Sequence, residues 1–309
     1  MREVTIATVQ FQPKLGEPED NLVKMSEFVS KIASQQKVDL IVFPELATSG
    51  YELGVRFTEV AQRVPGPAIN LMAQRAAEYG VYIAFGLVTK EKVESVIYNS
   101  AVLVGPDGEL VGTYNKVHLR GEERMAFREG FRFPVFETEA GNIGLMLGWD
   151  LAFPEVSRSL ALEGADILCV MANWETTYME EYRTYVRARA YENAVFLAAS
   201  NRVGEDVTLS FGGESIIIGP RGKIHATVSA AEKKEKPTEA KAEKSDDADK
   251  DKADKPAEKP EKKAEEKVTI PEGYAVARID LDDVRKNREQ FQMIQERQPT
   301  AYRSIVKRY

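Results

Sequence analysis

Residues 144–155 read GLMLGWDLAFPE. An apolar run, Leu145 to Leu147, stops at Gly148 and is followed by Trp149, Asp150 and then Phe153, Pro154 and Glu155. A buried strand that breaks off at a tight turn is where open α/β sheets expose reactive groups, beyond the carboxyl ends of their strands. Here the turn carries glycine, which offers no side chain.

Working outward from this stretch, strand-like runs alternate with helical patterns. The strand-like runs are residues 4–11, 38–43, 81–88, 100–105, 143–147, 165–171, 194–200, 214–219 and 274–281. Several are apolar nearly throughout, as expected of strands covered on both faces. Helical patterns fall at 21–35, 68–80, 155–164 and 182–194, and Gly80 and Gly164 stand where glycine C-caps belong. The alternation predicts an α/β fold. The sequence Pro106-Asp107-Gly108 between two apolar runs predicts a hairpin, so part of the sheet is antiparallel.

Composition narrows the function classes. The 309 residues are 43% hydrophobic with a net charge of −7, which argues against a basic nucleic-acid-binding face. No apolar run reaches the length of a membrane span. Cys169 is the single cysteine, so no intrachain disulfide forms, and the opening residues lack the pattern of a secretory signal. Together these predict a cytoplasmic protein. His118 and His225 are the only histidines. With one cysteine, they leave little for a zinc site.

One segment departs from the rest. Residues 231–267 contain twelve Lys against thirteen Asp or Glu, with no aromatic, Val, Ile, Leu or Met, and with prolines at 237, 256 and 260. Such a chain buries too little apolar surface to offset its ordering entropy, and is predicted to be a disordered insertion within a single domain spanning residues 1–309. A solvated spacer is the expected role; capture of a partner, making the protein a scaffold, is the alternative.

The residues after each strand concentrate chemistry. Glu45 follows residues 38–43, Lys116 and His118 follow a strand ending near Tyr114, and Asn173 and Trp174 follow residues 165–171. Each has an ordinary structural explanation alone: a capping carboxylate, a solvated amine, a hydrogen-bonding histidine, packing tryptophans. Together they are specific. FPELATSGY (43–51), YNKVHL (114–119), ERMAFREG (123–130) and GLMLGWDLAFPE (144–155) resemble the nitrilase, or carbon–nitrogen hydrolase, superfamily and its amidase-like branch. The resemblance continues through residues 164–174, 188–193, 200–204, 211–215, 220–223 and 278–281.

What the resemblance implies is a four-layer α-β-β-α sandwich hydrolysing non-peptide C–N bonds of amides, carbamoyl compounds or nitriles, without metal or organic cofactor. It implies Glu45 as general base, Lys116 as the cation facing the oxyanion, Glu123 as a second, positioning glutamate, and Trp149, Asn173 and Trp174 as substrate contacts. It also implies homodimers or larger assemblies, with residues 296–309 as a tail packing across the partner subunit. The family nucleophile is a cysteine, and Gly148 holds its place here. A thioester needs a thiolate. The expectation is therefore a pseudoenzyme that binds a small amide, carbamoyl or carboxylate ligand, or a partner. The alternative is an active hydrolase, its nucleophile hidden by a sequence change or replaced by a Glu45-activated water. Cys169, inside an apolar run, is expected to be buried and inert.

Overall fold

The computed structural model describes residues 1–92, 96–228 and 270–307. In chain order its elements are β1 (Glu3–Gln10), α1 (Pro18–Gln35), β2 (Leu40–Val42), α2 (Phe57–Val60), α3 (Pro67–Tyr79), β3 (Tyr82–Lys90), β4 (Ile97–Val104) and β5 (Leu110–Asn115). Then come α4 (Glu123–Ala126), β6 (Val135–Thr138), β7 (Gly141–Leu147), α5 (Pro154–Leu162), β8 (Ile167–Ala172), α6 (Met179–Asn193) and β9 (Phe196–Asn201). The chain closes with β10 (Val203–Glu205), β11 (Ser210–Gly212), β12 (Ile216–Ile218), β13 (Ile224–Thr227), β14 (Gly273–Asp280) and α7 (Asp282–Phe291).

Two six-stranded sheets result, ordered β14-β1-β2-β3-β4-β5 and β13-β12-β9-β8-β7-β6. The alternation of side chains along each strand sorts the apolar runs into layers. From β7, Ile143, Leu145 and Leu147 point between the sheets, where they meet Val4, Ile6, Leu40, Val42 and Leu103 of the other sheet. Met146, on the opposite face of β7, packs with Val156 and Leu160 of α5 and with Val186 of α6. On the far side, Leu22, Met25, Val29 and Ile32 of α1 and Ile69 and Met72 of α3 cover Ile41, Ile83 and Phe85. Both faces of each central strand are therefore dry, which explains the nearly unbroken apolar runs, and the layers follow α-β-β-α as expected.

Local signals hold where chemistry dictates them. Pro18 opens α1, with Glu19 and Asp20 in its first turn, and Gly80 closes α3 in the left-handed conformation at φ +64°. The hairpin at residues 106–108 joins the antiparallel pair β4 and β5. The short strands β6, β10 and β11, and the helix α7, are additions to the sequence expectations. Three- and four-residue strands show no readable period, and α7 buries only Val284, so it lacks the apolar stripe that marks a helix. Residues 231–267 lie outside the described residues; the strands on either side of them, β13 and β14, edge the two sheets. Residues 299–306 of the tail form a 3-10 turn with Ile305 and Val306 exposed. Among the described residues no helix is long and apolar enough to cross a membrane.

The loop after β2 folds back over β3. Gly86 donates its N–H to Pro44 O at 3.1 Å, and a Cβ at Gly86 would lie 2.6 Å from Leu46 N and 2.7 Å from Glu45 Cα. Only glycine lets β3 pass this close beneath Glu45. Gly86→Ala is expected to destabilise the fold by about 1–3 kcal/mol through overpacking against backbone, measured as a lower urea midpoint; an unchanged midpoint would show that the loop is free to rise.

Candidate active site

The carboxyl ends of β2, β5, β7 and β8 converge, and the first residues beyond them meet. Lys116 Nζ lies 2.7 Å from Glu45 Oε1, and 2.7 and 2.9 Å from the two oxygens of Glu123. All three groups are buried, with at most 3% of each side chain exposed. The carboxylates are held from other directions as well. Asn99 Nδ2 donates to Glu45 Oε1 at 2.7 Å, the Asn173 N–H to Glu45 Oε2 at 3.2 Å, and the Arg120 N–H to Glu123 Oε2 at 2.8 Å.

Two carboxylates share one ammonium here, so with all three groups ionised the cluster carries one negative charge in excess. Burial pushes the Glu45 carboxyl up to about 7; Lys116 opposes this and the Glu123 charge adds to it. For Lys116, burial alone would favour the neutral amine, but the charges of Glu123 and Glu45 outweigh it and hold the ammonium above its usual range. The neighbouring Tyr51 phenol is pushed up by burial, reinforced by the charges of Glu123 and Glu45. A group able to gain or lose a proton near neutrality thus sits against a permanently charged lysine. Such a pair can accept a proton and stabilise a developing oxyanion in the same small space.

Gly148 begins the turn at the end of β7 with φ +35°. A Cβ built there would stand 2.3 Å from Glu45 Oε2, so the Glu45 carboxylate fills the ground a side chain at 148 would use. The turn itself is tied by Asp150. Its Oδ2 accepts from Leu147 N at 3.2 Å and from the Tyr114 hydroxyl at 2.6 Å, and its Oδ1 accepts from His118 N at 3.0 Å. His118 Nδ1 lies 2.9 Å from the same oxygen and its ring stacks on Phe153 at 3.7 Å. His118 is therefore part of the scaffold of the turn.

A cavity of about 20 Å³ remains, lined by Glu45, Lys116, Glu123, Gly148, Trp149 and Asn173 among others. Trp174 lines it too, but packs against Tyr182 and Tyr185 and donates its indole N–H to Tyr178 O at 2.9 Å. Both polar atoms of the Asn173 carboxamide are buried without a hydrogen-bond partner. Cys169 is elsewhere: it points between the sheets, fully buried, and burial pushes its thiol far up, so it supplies no thiolate to this cavity. Among the described residues no group of His, Cys, Asp and Glu could hold a metal ion.

The carbon-nitrogen hydrolase family profile matches residues 5–235. The chain belongs to the carbon-nitrogen hydrolase family. A probable nitrilase of Schizosaccharomyces pombe is 47% identical over 225 residues, covering 72% of this chain and 83% of its own. A 2-oxoglutaramate amidase of Bacillus subtilis is 31% identical over 224 residues, covering 72% and 85%. In three dimensions, a mutant of the amidase from Nesterenkonia sp. AN1 superposes with a TM-score of 0.75 at 23% identity over 97% of this chain and 96% of its own. That structure shows the acetamide moiety of fluoroacetamide added covalently at the active-site cysteine. The match in fold agrees with the two-sheet sandwich above.

In this member of the carbon-nitrogen hydrolase family, the seven residues that the resemblance marks as site residues all border one cavity. Sequence reasoning missed Asn99, Tyr51, Tyr114 and Asp150 as parts of the arrangement. Asn99 carried a usable signal, a polar residue at a fully buried place inside an apolar strand, since such a group needs a partner.

The raised carboxyl has a measurable sign. Glu45 holds its proton more tightly folded, at about 7, than at the reference value of 4.5. Its contribution to stability is fully present below about 4.5 and is lost as the pH rises to about 7. The unfolding free energy of Glu45→Gln relative to the unsubstituted protein should therefore shift in favour of the variant between about pH 5 and about pH 8. Denaturation across that range checks it, and a constant difference would mean that Glu45 titrates ordinarily.

Proposed function

We propose that this protein is a carbon-nitrogen hydrolase-fold protein that binds a small amide, carbamoyl or carboxylate ligand and does not turn it over by the covalent route. In this proposal Lys116 faces the ligand's carbonyl or carboxylate oxygen, Glu45 and Glu123 hold Lys116, and the unpartnered Asn173 carboxamide, one donor and one acceptor, matches an amide's own pair. Trp149 and Trp174 wall the cavity. The observation that carries the proposal is Gly148: the turn after β7 has no nucleophile, and Glu45 Oε2 stands 2.3 Å from where a Cβ would begin. Removing the nucleophile from a catalytic unit of another hydrolase class costs about 10⁶ in turnover, with about 10³–10⁴ over water retained from binding and oxyanion contacts. Association of two copies through the outer helices belongs to the same proposal.

A second reading has an observation of its own. Glu45, titrating at about 7, can draw a proton from a water that attacks a bound amide, giving slow hydrolysis that increases as the carboxylate forms.

Ammonia release from simple amides, carbamoyl compounds and nitriles separates the readings, measured for the protein and for Gly148→Cys alongside intact mass. The protein is expected to bind amide, seen as a raised unfolding temperature, while releasing ammonia at least about 10³-fold more slowly than the variant and forming no acyl adduct. In the variant the Glu45 carboxylate, the end of a flexible side chain, must swing aside, and an adduct at residue 148 should be detected. Ammonia release by the unsubstituted protein within about tenfold of Gly148→Cys would overturn the proposal. Slow release that rises through about pH 7 and disappears in Glu45→Gln would establish the water route.

A further inference from the structure

Strands β10 and β11 form a small sheet of their own beside the sandwich, and their hairpin grips the loop that carries Tyr51. Two carboxylates make the grip reciprocal. Asp206, in the hairpin turn, accepts the Tyr51 and Glu52 N–H groups through Oδ2 at 2.8 and 3.2 Å. Glu52, in the loop, accepts the Thr208 and Leu209 N–H groups through Oε2 at 2.8 and 2.9 Å.

Asp206 is the buried half of this grip. Its side chain is 1% exposed and that of its partner Arg202 is 0% exposed. Arg202 donates to it from both Nη atoms, at 2.9 and 2.7 Å, the forked geometry that suits a carboxylate. An ion pair this dry is often replaceable by apolar residues at no loss of stability, so stability alone does not account for it. Its contacts lead towards Tyr51. The guanidinium lies 4.2 Å over the Phe211 ring, and Phe211 meets the Tyr51 ring edge-on at 6.0 Å. The pair therefore holds Tyr51 twice, by its backbone N–H on Asp206 and by its ring on Phe211.

Tyr51 carries this grip into the site. It lines the small cavity beside Glu45, Lys116 and Glu123, and also lines an outer chamber of about 230 Å³. Burial raises its phenol, and the charges of Glu123 and Glu45 and a hydrogen bond to Glu123 raise it further. The phenol thus keeps its proton and donates it towards Glu123. Asp206 and Arg202 line neither space.

We infer that Asp206, locked by Arg202, is a positioning residue of the site: it sets Tyr51 as the wall that keeps water from the Lys116–Glu45–Glu123 cluster and as the donor that orients Glu123. It acts through Tyr51 and touches no ligand.

Asp206→Asn tests this, since it keeps the shape but turns an amide N–H towards groups that are themselves donors. Carbon-13 NMR of the glutamate carboxyls, with Glu45 assigned from Glu45→Gln, reads the cluster without any ligand. In the unsubstituted protein the Glu45 carboxyl should titrate at about 7, raised chiefly by burial. In Asp206→Asn, Tyr51 shifts, water enters and the titration should fall towards 4.5. Tyr51→Ala should show the same fall, and adding Asp206→Asn to it should change nothing further. A merely structural Asp206 would lower the unfolding midpoint and leave the titration at about 7; that result overturns the inference, as does a further fall in the double variant. If Asp206→Asn does not fold, Arg202→Lys tests the same prediction, because it leaves Asp206 a cation but removes the fork and the contact with Phe211.

Acetamide affinity, measured calorimetrically with the full chain, is the second readout and rests on the amide reading above. It should weaken about tenfold in Asp206→Asn. If acetamide binds neither protein while the titration falls, the amide reading fails and the positioning role stands. If acetamide binds both equally and the titration does not move, the positioning role fails and the amide reading stands.

Discussion

A lysine ammonium with 2% of its side chain exposed is the constraint on which the rest of the site depends. An unpaired charge in so dry a place would carry a desolvation cost of several kcal/mol, so Lys116 requires its carboxylates. It takes two, Glu45 and Glu123, from different elements. The carboxylates then need partners of their own, supplied by Asn99 on β4, the Asn173 N–H beyond β8 and the Arg120 N–H. Each bond pins another strand end or loop to the same point. Burial together with the surplus negative charge lifts the Glu45 carboxyl into the neutral range, so the feature that makes the site chemically responsive is a by-product of how Lys116 is satisfied.

A second buried polar hub holds the neighbouring turn. Asp150 is fully buried and accepts from Leu147, Tyr114 and His118, which ties the end of β7 in one sheet to the end of β5 in the other. The sandwich is apolar between its sheets, and the hydrophobic effect that drives this burial is non-directional. The Asp150 contacts and the Lys116 cluster are directional, so they set the registration of the two sheets at the rim where the cavity lies. Gly148 stands between the hubs. Its missing side chain leaves space that the Glu45 carboxylate takes up, and the turn geometry is retained without the group it would present.

Much of this was legible in the chain. Continuous apolar runs with helices between them required strands covered on both faces, and the layers follow. Glu45, Lys116, Glu123, Gly148, Trp149, Asn173 and Trp174 were each marked by position after a strand or by a family motif, and all border one cavity. Less visible were elements too short or too polar to show a period, such as β6, β10, β11 and α7. Also hidden were residues whose role depends on a partner far away in sequence: Asn99 serves Glu45 across 54 positions and Asp150 serves Tyr114 across 36. No local pattern encodes such pairings, because a buried polar side chain declares only that it needs a partner.

By itself, then, the sequence determined the α/β alternation, the family motifs and the absence of a thiol after β7, because periodicity, turn chemistry and side-chain identity are local properties of the chain. Only the tertiary structure decided that the space at Gly148 is taken by Glu45, that Lys116 is shared between two carboxylates, and that the Asn173 carboxamide beside them is buried without a partner. Those facts depend on distances between segments that the fold alone brings together, and on burial, which turns ordinary charges into perturbed ones.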